Sequence, residues 1–353
     1  MTTTSLRTER LRQAIRERVS RALPAGERES TGGHGANQTE LRRFKRLLHV
    51  YPERVGKYLR GQVVYLSATA HGANNDDATL TVAAAIELFQ AWVLIHDDIE
   101  DDSETRRGLP ALHREVGMPI ALNVGDALHV RMWRLLLELL PSCPRQAPGI
   151  IDEFGAMIEL TAEGQHLDLA YLDAGRVDVS EAEYLDMVAR KTAQYTVVAP
   201  LRLGAMLAGR EPDEALTPAG RELGVAFQIR DDVLNLRRRP AADDGYGKEF
   251  AGDLYEGKRT LILAHMLAAA DAEQRAVAHE LLRKERGERT AQDVKVLLDL
   301  IEQHGSLEYA QGVAADKANN GLGLLAEALA GVPGWAAAGD LGTLLADVAE
   351  REH

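Results

Sequence analysis

Apolar residues recur at three- and four-residue spacing along almost the whole chain, with alanine and leucine dominant and β-branched runs scarce. That period sets one face of a helix, rather than of a strand, against a core. It predicts helices over residues 5–22, 38–49, 54–71, 79–101, 119–140, 147–171, 181–208, 218–238, 257–286, 291–303, 306–330 and 338–350, an all-α architecture. Two starts carry capping chemistry. Ser180 followed by Glu183 reads as a capping box, and Thr217 before Pro218 sets a cap ahead of a proline at the first helical position, where its missing N–H costs nothing. The small, polar, glycine-rich stretch from Arg28 to Gln38 reads as a flexible connection. Residues 1–38 are therefore expected to be an amphipathic N-terminal helix with its connection, and residues 39–353 one helical domain. The N-terminal helix could instead pack on the body or on a partner. Pro240 to Gly247 reads as a loop between helices.

With 353 residues the chain can bury a large core. Its net charge of -13 speaks against a general nucleic-acid or anionic-membrane binder, so any phosphate site must be local. The longest apolar run, Leu80 to Ile95, is shorter than a membrane span and contains Glu87 and Gln90. The N-terminus lacks the apolar segment of a signal peptide, and the single cysteine, Cys143, cannot form an intrachain disulfide. These features together predict a cytoplasmic protein with no membrane span and no nucleic-acid partner.

Candidate chemistry concentrates at two helix ends. Asp97-Asp98-Ile99-Glu100-Asp101 closes the 79–101 helix, where about 100° per residue puts Asp97 and Asp101 on one face a turn apart with Asp98 alongside. Carboxylates crowded at the negative end of a helix dipole are unfavourable without counter-ions, and Mg²⁺ shared with substrate phosphates would supply them. A solvated acidic loop is the plain alternative. Arg106 and Arg107, which follow at once, tilt the balance, since guanidinium groups clamp phosphate oxygens. The second helix ends in Phe227-Gln228-Ile229-Arg230-Asp231-Asp232-Val233-Leu234-Asn235, and a run holding Lys248, Asp253 and Lys258 follows it. Two such ends about 130 residues apart form a natural facing pair in a helical bundle. His96 and His113 lack metal-ligand spacing and read as packed histidines, and Arg237-Arg238-Arg239 reads as a solvated helix end.

From Tyr51 to His265 these motifs, with Leu112-His113, Asn123 to Leu128, Gly164-Gln165-His-Leu-Asp168 and Lys191-Thr192, occur in an order that resembles the trans-isoprenyl diphosphate synthases, the polyprenyl synthetase family. The resemblance implies the isoprenoid synthase fold, an antiparallel helix bundle around a deep central cavity, in a homodimer. It implies Mg²⁺-dependent joining of isopentenyl diphosphate to dimethylallyl, geranyl or farnesyl diphosphate, with three ions around the bound diphosphate. Carried over residue by residue, Asp97, Asp101 and Asp231 would be the main metal ligands, supported by Asp98 and Asp232. Arg106, Lys191 and Lys258 would hold the allylic diphosphate, Lys57, Arg60, Gln90 and Arg107 the isopentenyl diphosphate, and Lys248 is a further substrate-binding candidate. Thr192 and Gln228 would place dipoles near the developing carbocation.

This chain departs from the family pattern at three places. The first basic element, Val55 to Gly61, has one glycine before Lys57 instead of two, Gln90 stands where many bacterial members have histidine, and Asn235 replaces a third aspartate. Asn235 is read as weakened or absent ligation. Trp92 lies about 7 to 8 Å, and Phe89 roughly 12 Å, along the helix from Asp97. With Val93 they are chain-length candidates, Trp92 as a floor for the growing tail, which favours geranylgeranyl over farnesyl diphosphate as product. A class I terpene cyclase would not need Lys57, Arg60 and Arg107, and an idle partner subunit of a prenyl synthase would have lost motif aspartates that this chain keeps.

Overall fold

The computed structural model describes residues 3–25, 35–54, 56–211, 214–237 and 250–349. Lys248, the 240–247 loop, Arg238, Arg239 and most of the glycine-rich connection lie outside them. In chain order the helices are α1 (Thr3–Ala22), α2 (Gly35–Glu53), α3 (Leu59–His71), α4 (Asp76–Glu100), α5 (Leu112–Val116), α6 (Met118–Leu137), α7 (Leu139–Ser142), α8 (Ala147–Asp173), α9 (Glu181–Val188), α10 (Ala199–Leu207), α11 (Leu216–Leu236), α12 (Gly252–Glu256), α13 (Leu261–Ala269), α14 (Ala272–Arg283), α15 (Ala291–Gln303), α16 (Ser306–Ala328) and α17 (Trp335–Ala349). A π-helical segment, Ala189–Val198, joins α9 to α10, and a hairpin of two-residue strands, β1 (Thr105–Arg106) and β2 (Leu109–Pro110), follows α4.

Three departures from the sequence expectation have local causes. The expected 257–286 helix is broken: Gly257 closes α12 in a left-handed conformation, and Asp271 opens α14 with its own capping box to Gln274. The expected start at residue 54 moves to Leu59, because Tyr58 adopts a left-handed φ of 47°. Thr217 and Pro218 fall inside the first turn of α11, two residues later than the cap they were expected to form. Ser180 and Glu183 do form the capping box that starts α9.

The described residues group into two compact units. The first comprises residues 1–153, 200–212 and 332–340. Its centre is α4, which packs against α6, α3 and α1. Asn75 caps α4 by accepting the Ala78 N–H, and Asp76 and Asp77 favour the positive end of its dipole. Residues Val82 to Ile86 have no exposed surface. α4 is long and apolar enough to cross a membrane, yet 72% of its most apolar stretch is buried within the protein. The N-terminal helix packs on the body: Ile15 and Val19 of α1 are buried, and Arg18 donates to Thr81 and Glu138.

The second unit comprises residues 154–199, 213–331 and 341–353. Here α11 packs against α16 and the π segment. A continuous core runs from Tyr184 and Met187 through Ile229 and Val233 to Met266, Leu297 and Ala314. Each unit therefore carries one acidic helix end on a helix that is itself a centre of packing.

Candidate active site

In the first unit, the last turn of α4 divides its aspartates between two tasks. Asp97 is partly exposed, and Asp101, whose N–H bonds the Asp97 carbonyl, closes the helix. Asp98 is fully buried. The Tyr51 hydroxyl donates to its Oδ2, and Arg106 donates to Oδ1 through both Nε (2.8 Å) and Nη2, with a longer bond from Nη2 to Asp97 (3.3 Å). Burial and the Asp98 charge both push the Tyr51 hydroxyl up, so it stays a donor. Burial alone would lower Arg106, but the charge and hydrogen bonds of Asp98 hold it well above the usual guanidinium range.

The hairpin after α4 aims two consecutive arginines differently. Arg107 and Gly108 form its two-residue loop with φ of 56° and 74°, the pair of positive angles that a type I′ turn needs. Arg106, just before the turn, reaches back to the α4 aspartates. Arg107 donates to the Arg54 carbonyl at 2.7 Å and lies against Gly56, where an added Cβ would meet its Nη1 at 2.8 Å. Arg54 in turn clamps both strands through the carbonyls of Arg106 and Pro110. A left-handed arginine costs of order 1–3 kcal/mol, and such strain gathers where a side chain must be aimed.

Arg107 and Gln90 line a small recess with Gly56, Tyr58, Glu87 and Val19 of α1. Glu87 is buried and accepts the Gly61 N–H at 2.8 Å. Burial raises its pKa, against the opposing pull of that N–H and of Arg60 and Arg107. Lys57 is exposed and Arg60 buried, and neither is among the residues lining the recess.

In the same stretch of α4, Trp92 stacks on His129 of α6 with ring centroids 3.9 Å apart, and meets Phe89 and His96 edge to face. His129 Nε2 accepts the Trp133 indole N–H at 2.7 Å, which holds the ring as the Nδ1–H tautomer. Phe89 is buried, and Val93 partly so. His96 lies 3.4 Å from Asp126 and His113 3.9 Å from Asp102, and both are lowered chiefly by burial.

The second unit repeats the division of labour. Asp231 is partly exposed, while Asp232 is buried and takes a hydrogen bond from the Tyr184 hydroxyl at 2.7 Å and from Gln228 Nε2 at 2.7 Å. Thr192 donates to Gln228 Oε1 at 2.9 Å, which fixes the amide's orientation. Lys191 Nζ lies 2.6 Å from Asp168 of α8. Both Lys191 and Thr192 sit in the π segment, whose wider turn is a common device at functional sites. Gly164 lets α8 touch it: an added Cβ would stand 2.2 Å from the Lys191 backbone nitrogen. Lys258 lies 3.0 Å from Glu256 and 3.9 Å from Asp253. Asn235 is buried, and its Oδ1 accepts the Asp253 N–H at 3.1 Å.

Where Asp98 has an arginine, Asp232 has an amide. Burial and the charge of Asp253 push Asp232 up to about 7, against the hydrogen bonds from Tyr184 and Gln228. Excess negative potential among hard oxygen donors is the chemistry that suits magnesium. Among the described residues no three acidic, histidine or cysteine side chains converge as a ready-made metal cage. That accords with an ion that takes one or two carboxylates and completes its shell with phosphate and water.

Residues 42–301 match the sequence profile of the Polyprenyl synthetase family. The chain belongs to that family. It is 33% identical to the geranylgeranyl diphosphate synthase of Sulfolobus acidocaldarius, in an alignment covering 76% of this chain and 79% of that one. It is 36% identical to the short chain isoprenyl diphosphate synthase of Methanothermobacter thermautotrophicus, covering 74% and 77%. Its fold superposes with a TM-score of 0.84, at 27% identity and 97% and 99% coverage, on the geranylgeranyl pyrophosphate synthase of Corynebacterium glutamicum solved with isoprenyl diphosphate and magnesium. The protein is thus an all-α prenyl-transferring enzyme of the polyprenyl synthetase family with the isoprenoid synthase fold.

Local sequence reading passed over four residues. The side chains of Tyr51, Arg54, Tyr184 and Glu87 bond to residues at least 26 positions away in sequence, as with Tyr184 and Asp232, which are 48 apart. No spacing rule marks them.

The unusual state of Asp232 makes a pH prediction. Its folded pKa, pushed up to about 7, lies above the unfolded carboxyl value of about 3.9, so the native state holds the extra proton in between. Stability from that proton is present at low pH and lost as pH rises through this window. Thermal melting of metal-free protein is expected to fall from pH 5 to 8, less so in Asp232→Asn or with magnesium pyrophosphate. An identical pH slope for wild type and Asp232→Asn would refute the assignment.

Proposed function

We propose that the protein condenses isopentenyl diphosphate head to tail (1′-4) with an allylic diphosphate and releases pyrophosphate, with geranylgeranyl diphosphate as its product. The observation that carries elongation, rather than cyclisation of one allylic substrate, is the recess holding Arg107 and Gln90 in the same unit as the first acidic end. A cyclase has no second diphosphate to place there. Retention of Asp97, Asp101 and Asp231, each partly exposed, argues against an idle partner subunit.

Asp97, Asp101 and Asp231 would hold magnesium, three ions in all, with Asp98 and Asp232 supporting from beneath. When bound, magnesium neutralises charge that develops on the leaving pyrophosphate. Lys191, Lys258 and Lys248 hold the allylic diphosphate, and Arg106 contributes mainly by fixing Asp97 and Asp98. Arg107, Gln90, Lys57 and Arg60 hold isopentenyl diphosphate. The allylic carbon–oxygen bond breaks, the double bond of isopentenyl diphosphate forms the new carbon–carbon bond, and pyrophosphate accepts the proton that is lost. Oriented dipoles such as Thr192 and Gln228 stabilise the cation in a site shielded from water.

Product length follows from Trp92, which is pinned by stacking on His129 and so makes a stiff floor. Residues 39–353 act as one catalytic domain in the cytoplasm. A homodimer would use α6, where the exposed Met118, Leu122, Val130 and Leu137 lie within about 120° of one another around the helix.

The test is incubation with magnesium, isopentenyl diphosphate and each of dimethylallyl, geranyl and farnesyl diphosphate, with products read by chromatography after phosphatase treatment. A twenty-carbon alcohol is expected, fifteen carbons would favour the farnesyl alternative, and no elongation from any primer would sink the reading. In the same assay Trp92→Ala should shift products to longer chains; an unchanged distribution would remove the floor.

A further inference from the structure

The short helix α12 is held at both ends by residues outside its own segment. At its start, the Asn235 carbonyl accepts the Ala251 N–H at 3.0 Å, and the Asn235 side-chain oxygen accepts the Asp253 N–H at 3.1 Å. At its end, Arg289 donates from Nη1 to the carbonyls of Leu254 (2.7 Å) and Tyr255 (2.5 Å). The same guanidinium reaches Leu281 through Nε and Leu282 and Lys284 through Nη2. Its N–H groups thus meet five carbonyls, and those lie at the ends of α12 and α14, where helices leave carbonyls unsatisfied and the dipole favours a cation. Gly257, with φ 74°, brings the turn against this guanidinium: an added Cβ would meet Arg289 Nη2 at 3.1 Å.

A second buried arginine shows how much the region commits to this turn. Arg259 donates to the Gly257 carbonyl and to that of Arg176, although burial and the neighbouring Arg289 charge lower it to about 10. Two guanidiniums side by side in the interior are unfavourable unless the carbonyls they bind are worth holding. What the clamp presents is a pair of side chains from one turn, Asp253 and Lys258, joined by a 2.9 Å bond from the Lys258 N–H to the Asp253 carbonyl.

We propose that Asn235 and Arg289 are positioning residues that hold α12 from opposite ends, so that Lys258, with Asp253 beside it, meets the diphosphate in fixed register. The inference rests on the proposed function. It gives Asn235 a role that needs an acceptor oxygen and no charge: it is a strut beneath Asp253, not a metal ligand. Arg289 joins the diphosphate machinery from the loop between α14 and α15, far along the chain from any acidic segment.

The experiment compares Asn235→Leu, Asn235→Asp, Arg289→Met and Arg289→Lys with Lys258→Met, in turnover assays and in calorimetric titrations with magnesium pyrophosphate. Outer-shell partners of this kind typically cost 10- to 100-fold when removed. Asn235→Leu and Arg289→Met should raise the allylic diphosphate KM and the pyrophosphate Kd by roughly tenfold. The isopentenyl diphosphate KM should stay unchanged. Asn235→Leu combined with Lys258→Met should cost no more than Lys258→Met alone. Asn235→Asp keeps the acceptor and should leave the magnesium half-saturation and the Kd within about twofold.

Should Arg289→Met not fold, Arg289→Lys and Asn235→Leu carry the same prediction from the two ends of the helix. Lower melting temperatures with unchanged KM and Kd would overturn the proposal, as would tighter magnesium binding in Asn235→Asp. A wild type that binds magnesium pyrophosphate but elongates nothing would sink the functional reading while the Kd comparison still decides this one.

Discussion

Arg106→Gln is expected to be among the most damaging single changes in the first unit, because it strands a charge. Asp98 has no solvent exposure, and Arg106 meets it through two nitrogens. Removing one partner of a buried pair typically costs about 3–5 kcal/mol, more than the pair itself contributes, since the remaining carboxylate is left without its counter-ion. Melting temperature should fall on the order of 10 °C. Turnover should fall by roughly 10²- to 10³-fold in the protein that remains folded, because Asp97 loses its fixed neighbour on the site face. Arg106→Lys keeps the charge but not the fork, and should lie between. Calorimetric melting and steady-state kinetics check both effects; wild-type stability in Arg106→Gln would show that Asp98 is compensated elsewhere.

Gly164→Ala should be comparably severe for activity by a steric route. The new Cβ would stand 2.2 Å from the backbone nitrogen of Lys191 and 2.7 Å from its Cα, too close for any rotamer change to relieve. Either α8 or the π segment must move, and overpacking of this sort costs about 1–3 kcal/mol. Asp168 sits one turn beyond Gly164 on α8 and is paired to Lys191 at 2.6 Å, so separating the helices also misplaces the lysine. A displacement near 1 Å can cost about 10²-fold in rate. Gly155→Ala on the same helix is the control: nothing lies within 4 Å of its added Cβ. It should leave kinetics unchanged and stabilise the helix by up to about 1 kcal/mol. Equal activity in the two variants would show that the close approach is not needed.

Much of this protein was legible from one line of residues. The helical period, the capping box at Ser180, the paired aspartates and the arginines that follow them are local patterns, because helix geometry turns a spacing of three or four residues directly into a shared face. The family followed from the order of those motifs along the chain. Local sequence also marked Asn235 as a departure and Trp92 as a bulky group one and a half turns below Asp97.

Tertiary structure decided how each aspartate is held. Local spacing does not separate the members of Asp97-Asp98 and Asp231-Asp232, which the family resemblance ranks as main and supporting, whereas the fold buries the second of each beneath a tyrosine hydroxyl from a distant helix and leaves the first partly exposed. It gives Asp98 an arginine and Asp232 only an amide, which separates their charge balance. It has the Asn235 side-chain oxygen accept the Asp253 N–H and sets Arg289 at the other end of the same short helix. The reason is physical: burial, hydrogen-bond partners and local potential depend on which distant segments pack together, and no period in the sequence encodes that.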